Sequence, residues 1–440
     1  MPPLPRIARA WLLSWLFLTL GFFTAVHAAF DPVAETEKLL ATLPAAARAK
    51  SDAYFEGGCW LQVWDLAVTL VVLWGLLKFG VTVRLRHLAE RFSKNRFLQG
   101  MLFIALFTIV VTVLTLPWAY YEGFVREHQY GLSNLDPAGW LGEQVKALFV
   151  STLLFGLVGP VLYLGIRKWP QGWWVKASLV TPFLLVFLMV LAPVFVAPLF
   201  NQYKPLTDAR VRDPILSMAR ANGVPVDNVY QFDASKQSNR VSANVSGAFN
   251  TIRVSLNDNL LNRCSPAEVQ AVMGHELGHY VLNHGYKAVV FISVVVGAGL
   301  WFTHWFFTAA SRRFGPARGL RGIDDLASLP LLLIGFSVFS FLTTPVSNTI
   351  IRTQEVEADI FGLNAARQPD GFATTALKLS EYRKLAPGQM GGDFLFRPPQ
   401  RLPAHPDGDA LEGRAPGGAA AGAARRQVST RRGRMPAGLR

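Results

Sequence analysis

The run LQGMLFIALFTIVVTVLTLPWAY, residues 98–120, contains no charged side chain over 23 positions. A helix needs about 20 mostly apolar residues to cross the hydrocarbon core of a bilayer, so this run constrains the chain before any motif is read. The same test picks out 10–29, 60–80, 147–166, 177–200, 288–308 and 327–347, giving seven apolar segments. The first also fits a cleavable signal, with Arg6 and Arg9 ahead of WLLSWLFLTLGFF and a small-residue site near VHA|AF. Residues 1–29 are therefore expected to be either a signal peptide or a first span, and 30–200 a membrane domain. With 51% hydrophobic and 16% charged residues over 440 positions, the chain is too apolar for an ordinary soluble enzyme and too long for a simple anchor. The expected fold class is mostly α, a multi-pass transmembrane helical bundle in a lipid bilayer.

The formal net charge of +14 invites a nucleic-acid reading, which its distribution argues against. Residues 397–440 hold nine Arg against Asp407, Asp409 and Glu412, which is +6 of the total. Most of the remainder lies in short loops: RLRHLAERFSKNR (84–96), RKWPQGWWVK (167–176) and SRRFGPARGLR (311–321), while 122–145 is mildly acidic. Basic loops mark the cytoplasmic side of a multi-pass protein. Counting spans then puts 201–287 and everything after 348 on the extracytoplasmic face. The two cysteines, Cys59 and Cys264, have no C-x-x-C context and form no disulfide framework.

Between the fifth and sixth apolar segments the pattern changes to that of a small folded domain. A helix is predicted over 209–221, followed by short β-type runs NVYQFDA, RVSANVSG and TIRVSL with Gly, Asp and Asn between them. Ser265 precedes Pro266 and stands three residues before Glu268, which is a capping box with proline at the first helical position. A helix is expected from Pro266 to about His284.

That helix carries AVMGHELGHYVLNH, residues 271–284. His275 and His279 are four apart, so their side chains leave one face a turn apart, as two ligands of one tetrahedral ion must. Glu276, between them and turned aside, is placed to act as general base toward metal-activated water. A second polar helix is predicted over 348–368, NTIIRTQEVEADIFGLNAARQ, where Glu355 and Asp359 share a face. Zinc hydrolases of the two-His-one-Glu type take a third ligand from another helix. Glu355 fits that place, and Asp359 is placed to accept the N–H of a ligating histidine. Glu357 is assigned no role, and His284 is read as a helix-end or supporting residue rather than a ligand. The run RVSANVSG can offer an unpaired edge to an extended peptide, or be an ordinary strand.

HELGHYVLNH followed by TQEVEADIFGLNA after two apolar runs resembles the CAAX prenyl protease 1 family of integral membrane zinc metallopeptidases. PWAYYEGFVREHQYGLSN (117–134), APVFVAPLFNQYKPLTD (192–208) and SANVSGAFNTIRVSLNDNLL (242–261) extend the likeness over roughly residues 55–396. The resemblance implies helices enclosing a chamber, with a gluzincin-type peptidase domain carrying a small sheet over 201–396. It implies one Zn²⁺ per chain on His275, His279 and Glu355, Glu276 as base, Asp359 supporting a ligand from behind, and Ser242, Ala243, Asn244 and Val245 along the substrate. The implied partners are a peptide or membrane-associated protein substrate and the bilayer, with no nucleic acid. Eukaryotic members face the cytosol and cut prenylated tails, whereas the loop charges here put the site outside, in what the signal-like start suggests is a bacterial inner membrane. Other readings are a quality-control zinc peptidase and a silent scaffold or transporter, the last disfavoured because only Asp65, Lys78 and His304 interrupt the apolar runs.

The family places a His-Pro motif and a last helix where this chain has RPPQRLPAHPDGDALEGRAPGGAAAGAARRQ, which has no apolar periodicity and is expected to be disordered. Shifted by one base, codons for RPPQRLPAHPDGDALEGRAP can also read DHPSGYPRIRMAMRWKAEHL, for example CGA-CCA-CCC-CAG-CGG as GAC-CAC-CCC-AGC-GG. A frameshifted tail is therefore expected over 397–440, and codons incompatible with that frame would refute it.

Overall fold

The structure is a computed structural model describing residues 32–247 and 251–382. The first apolar segment and the tail, with His405 and Pro406, lie outside the described residues. The chain divides into two compact units, residues 1–43 with 402–440, and residues 44–401. Of the first, helix α1 (Pro32–Ala41) is described, with a Lys38–Glu35 ion pair one turn apart.

The second unit begins with α2 (Ala45–Lys78), α3 (Val81–Phe92), α4 (Arg96–Tyr120), α5 (Pro137–Lys168) and α6 (Trp173–Leu191). Asn95 starts α4 by accepting the amide of Phe97, and Asp136 starts α5 by accepting that of Gly139, so each polar cap stands at the edge of an apolar run. Proline widens two of the spans without ending them. Pro117 lies within a turn of the widened helical stretch Tyr121–Arg126, and Pro193 lies inside the one over Ala192–Val196. Both widenings follow from a missing backbone N–H, which the next turn absorbs by lengthening its hydrogen bonds.

Among the described residues five helices are long and apolar enough to cross a membrane: Ala45–Lys78, Arg96–Gln129, Pro137–Lys168, Trp173–Phe200 and His284–Phe314. Val71, Phe149, Phe183 and Val294 stand exposed on them, as expected where the solvent is hydrocarbon. The last of the seven apolar segments, 327–347, is interrupted at Thr343. It becomes α11 (Leu329–Leu342) and α12 (Thr344–Ala366), bent by 51°. Pro345 in the first turn of α12 is the local cause: it cannot donate the hydrogen bond that would continue α11. Leu73, Leu77, Phe103, Phe107, Tyr163 and Leu331 pack the interior of this bundle.

Between α6 and the fifth span lies the folded domain. Strands β1 (Tyr203–Pro205), β2 (Val229–Phe232), β3 (Ala243–Ser246) and β4 (Arg253–Asn257) form one sheet in the order β1-β2-β4-β3, with β2 and β4 parallel and the other pairs antiparallel. Helix α7 (Ala209–Ala221) follows β1. Then α8 (Asp258–Arg263) leads into α9 (Pro266–Val281), and the fifth span is α10 (His284–Phe314). The capping box at Ser265 is present, both reciprocal bonds made. Val269, Met273 and Leu277 of α9 pack with Val254 and Leu256 of β4 and Ile215 of α7 into one core. Each such side chain contributes about 1.5–3 kcal/mol on leaving water.

Helix α9 ends three residues short of the expected His284. Asn283 takes a left-handed conformation, φ 58 and ψ 33, and His284 begins α10. Helix α13 (Pro369–Leu379) closes the unit over the start of α9. There Lys378 reaches Glu268 at 2.7 Å and the carbonyl of Arg263 at 2.8 Å.

Candidate metal centre

Helices α9 and α12 pack at glycine-close range. A Cβ on Gly274 would stand 2.9 Å from the carbonyl of Gly362, and one on Gly362 would stand 2.7 Å from the amide of His275. Gly274, Gly278 and Gly362, with Ala358 and Ala366, thus bring two backbones together where larger side chains would hold them apart. That proximity lets short side chains from the two helices meet.

At the crossing His275 Nε2, His279 Nε2 and the Glu355 carboxylate converge, all within 4.8 Å of one another. The Nε2 atoms are 3.1 Å apart, His275 Nε2 is 3.6 Å from Glu355 Oε2, and His279 Nε2 is 3.8 Å from Glu355 Oε1. Ligands about 2.0–2.1 Å from a tetrahedral ion are about 3.3 Å apart. The three separations bracket that edge, so the donor set fits a zinc-sized ion with modest closing. His275 and Asp359 are buried while His279 and Glu355 are half-buried, so the ligand set is open on one side.

Asp359, a turn beyond Glu355 on α12, has Oδ1 at 2.7 Å from His275 Nδ1. The carboxylate accepts Nδ1–H, so the neutral ring carries its lone pair on Nε2. Burial pulls the His275 pKa down, but Asp359, then Glu276 and Glu355, outweigh it and hold the imidazole above its ordinary value. His279 goes the other way, pushed down to about 3 by burial and by the neighbouring charges of His275 and His284.

Glu276 follows His275 on α9 and is half-buried. Its charge is close enough to favour protonated His275. The expected substrate strand is an edge among the described residues: there β3 pairs with β4 only, in the register Asn244 to Ser255 and Val245 to Val254. Ala243 and Val245 turn into the core that α9 shares. Ser242 has its N–H committed to Asn257 Oδ1 at 3.1 Å and its carbonyl to the Asn257 amide, so Asn244, two residues on, also faces β4, and the outer edge is left to the main chain of Ala243 and Val245.

The sequence pattern assigned Glu357 no role, and the structure places it in one. Glu357 Oε2 lies 3.0 Å from His284 Nε2 and 3.1 Å from Lys287 Nζ, and His284 Nδ1 lies 2.9 Å from His279 Nδ1. The available signal was a histidine five residues after a candidate ligand. It was masked because five positions of unbroken helix turn a side chain about 140° away.

The class that this fold and site define is an integral membrane metallopeptidase. Comparison with known sequences agrees: residues 205–410 match the family described as Peptidase family M48, and residues 31–202 match "CAAX prenyl protease N-terminal, five membrane helices". The first match runs past residue 396, the limit of the resemblance seen in the sequence, and takes in His405 and Pro406. The chain is 33% identical over 300 residues to the uncharacterized metalloprotease YhfN of Bacillus subtilis, covering 68% of this chain and 70% of that one. It is 29% identical over 326 residues to CAAX prenyl protease 1 of Saccharomyces cerevisiae, covering 68% and 67%. The crystal structure of S. mikatae Ste24p shares the fold, with a TM-score of 0.66 at 23% identity over 82% of this chain and 88% of that one. The chain belongs to peptidase family M48, in its CAAX prenyl protease branch. It is a multi-pass membrane metalloendopeptidase, and its family implies a metal cofactor and a peptide or protein substrate.

Proposed function

We propose that the chain is a zinc-dependent endopeptidase that cleaves membrane-associated polypeptides, with His275, His279 and Glu355 as the ligands of one ion. The observation that carries this reading is the convergence of those three donors from two helices at near-tetrahedral separations. Zinc held there supplies a Lewis acid that acidifies water and polarises the scissile carbonyl. Asp359 keeps His275 in the ligating tautomer. The outer edge of β3 aligns an extended substrate through main-chain hydrogen bonds. Glu276 takes the proton of the attacking water at its carboxylate and passes it to the departing amine nitrogen.

The orientation inferred from the basic loops puts this site on the extracytoplasmic face. That argues for substrates other than the prenylated tails after which the yeast relative is named. The test uses the full chain purified into nanodiscs. One zinc per chain and cleavage of an unprenylated reporter peptide are expected, and Glu276→Gln is expected to keep the zinc while losing about 10²–10⁴-fold in kcat. Absence of bound zinc, or cleavage by Glu276→Gln at the unmutated rate, rejects the reading.

A further inference from the structure

The left-handed Asn283 does more than end a helix. It turns the first residue of α10 back toward α9, so that the buried His284 meets His279 edge to edge, ring centroids 5.0 Å apart and planes at 70°. Four side chains then form a line running outward from the metal centre: His279, His284, Glu357 and Lys287, with polar separations of 2.9, 3.0 and 3.1 Å.

For a neutral His284, proton counting fixes the direction of this line. Glu357, ion-paired to Lys287, can only accept, so His284 Nε2 carries the hydrogen that fills the gap to it. A neutral His284 then has a bare Nδ1, which can only accept. The facing Nδ1 of His279 must therefore be the donor, and its Nε2 is left with a lone pair, on the side where His275 Nε2 and Glu355 lie. With the opposite tautomer of His279, two lone pairs would face each other at 2.9 Å and a hydrogen on His279 Nε2 would block coordination.

We propose that His284, held by Glu357, is the positioning residue for His279, fixing the tautomer and ring orientation in which Nε2 binds the ion. The inference rests on the zinc-peptidase reading and extends it. Each ligating histidine has its own orienting acceptor, Asp359 for His275 and His284 for His279. The second acceptor is neutral, so it orients the ring without adding another anion beside Glu355. Helix α12 contributes to both arrangements, through Glu355 as ligand, Glu357 at the end of one line and Asp359 on the other. Zinc loading is thereby tied to the junction of α9 with α10, where the peptidase domain enters a membrane span.

The experiment measures zinc affinity by chelator competition on the full chain in nanodiscs, with the visible spectrum of the cobalt-substituted protein as a second readout. His284→Leu fills the space and removes the acceptor. His284→Asn sets a carbonyl oxygen where Nδ1 was and so keeps an acceptor for His279 while giving up Glu357. The expected result is a loss of about 10–100-fold in zinc affinity for His284→Leu, with an altered cobalt spectrum. His284→Asn should stay within about threefold of the unmutated chain, because the tautomer-fixing bond survives. Equal affinities for the Leu and Asn variants, whether both retained or both lost, overturn the proposal.

Should His284→Leu not fold, Glu357→Ala at a part-exposed side chain takes its place: a several-fold loss of zinc affinity is expected, and an unchanged affinity overturns the proposal. The two readings fail differently. An unmutated chain that binds no zinc rejects the metal centre itself, whereas zinc bound equally by every variant rejects only the relay.

Discussion

At the scale of single residues, Asp359 and Glu355 stand one turn apart on α12 and are assigned opposite duties. Glu355 is half-buried where it meets His275 and His279, as the proposed ligand must be, and Asp359 lies buried against His275 Nδ1. Asp359→Ala is expected to weaken zinc binding by about 10–100-fold, measured by chelator competition, because His275 loses the acceptor that holds its tautomer. The i, i+4 spacings of His275 with His279 and of Glu355 with Asp359 were readable in the sequence, since a helix puts such pairs on one face. His284 and Glu357 were not readable as partners. The first depends on a left-handed residue that resets the helix phase, and the second on which neighbour happens to face a side chain rotated about 200° from Glu355.

At the scale of elements, the site depends on how closely α9 and α12 approach. Gly362→Ala would set a Cβ 2.9 Å from the His275 Cα and 2.7 Å from its amide, contacts that only backbone movement relieves. A loss of about 1–3 kcal/mol in stability is expected, together with weaker zinc binding; thermal unfolding and metal competition read the two effects separately. At the other end of α9, Ser265→Ala is expected to cost about 1 kcal/mol by removing one half of the capping box.

Glu268 supplies the other half. Burial raises its pKa, but Lys378 and the Ser265 amide outweigh burial and hold the carboxyl below its ordinary 4.5. A depressed carboxyl contributes stability that is fully present above the unfolded value and is lost as pH falls through the folded one. The unmutated chain should therefore lose stability below about pH 4.5. Glu268→Gln should lose less over that same interval, as unfolding midpoints measured against pH would show.

At the scale of the whole molecule, two of the basic segments read from the sequence, 84–96 and 311–321, meet at one end of the bundle. Arg86 of α3 pairs with Asp325 ahead of α11, Arg321 pairs with Glu90, and Arg318 reaches the last carbonyl of α2. The Arg86–Asp325 pair is buried on both sides, its side chains 5% and 2% exposed. Arg86→Met strands the carboxylate and is expected to cost about 3–5 kcal/mol, read as a lower unfolding midpoint in nanodiscs. If this end is cytoplasmic, a cysteine placed at Gly319 should resist a membrane-impermeant thiol reagent added outside intact cells, while one at Lys204 should react. The reverse pattern would place the site in the cytosol.

The sequence by itself determined the lipid-length helices, the capped α9 and the two histidine and carboxylate pairs. Each of those follows from local periodicity, hydrophobic length or cap chemistry, which act over one or a few turns. Only the tertiary structure decided where the last apolar run breaks, how closely α9 and α12 approach, and that His284 and Glu357 stand behind His279. Those depend on helix phase across a left-handed residue and on the absence of Cβ atoms at a crossing between segments about 85 residues apart, a separation over which sequence periodicity carries no phase information.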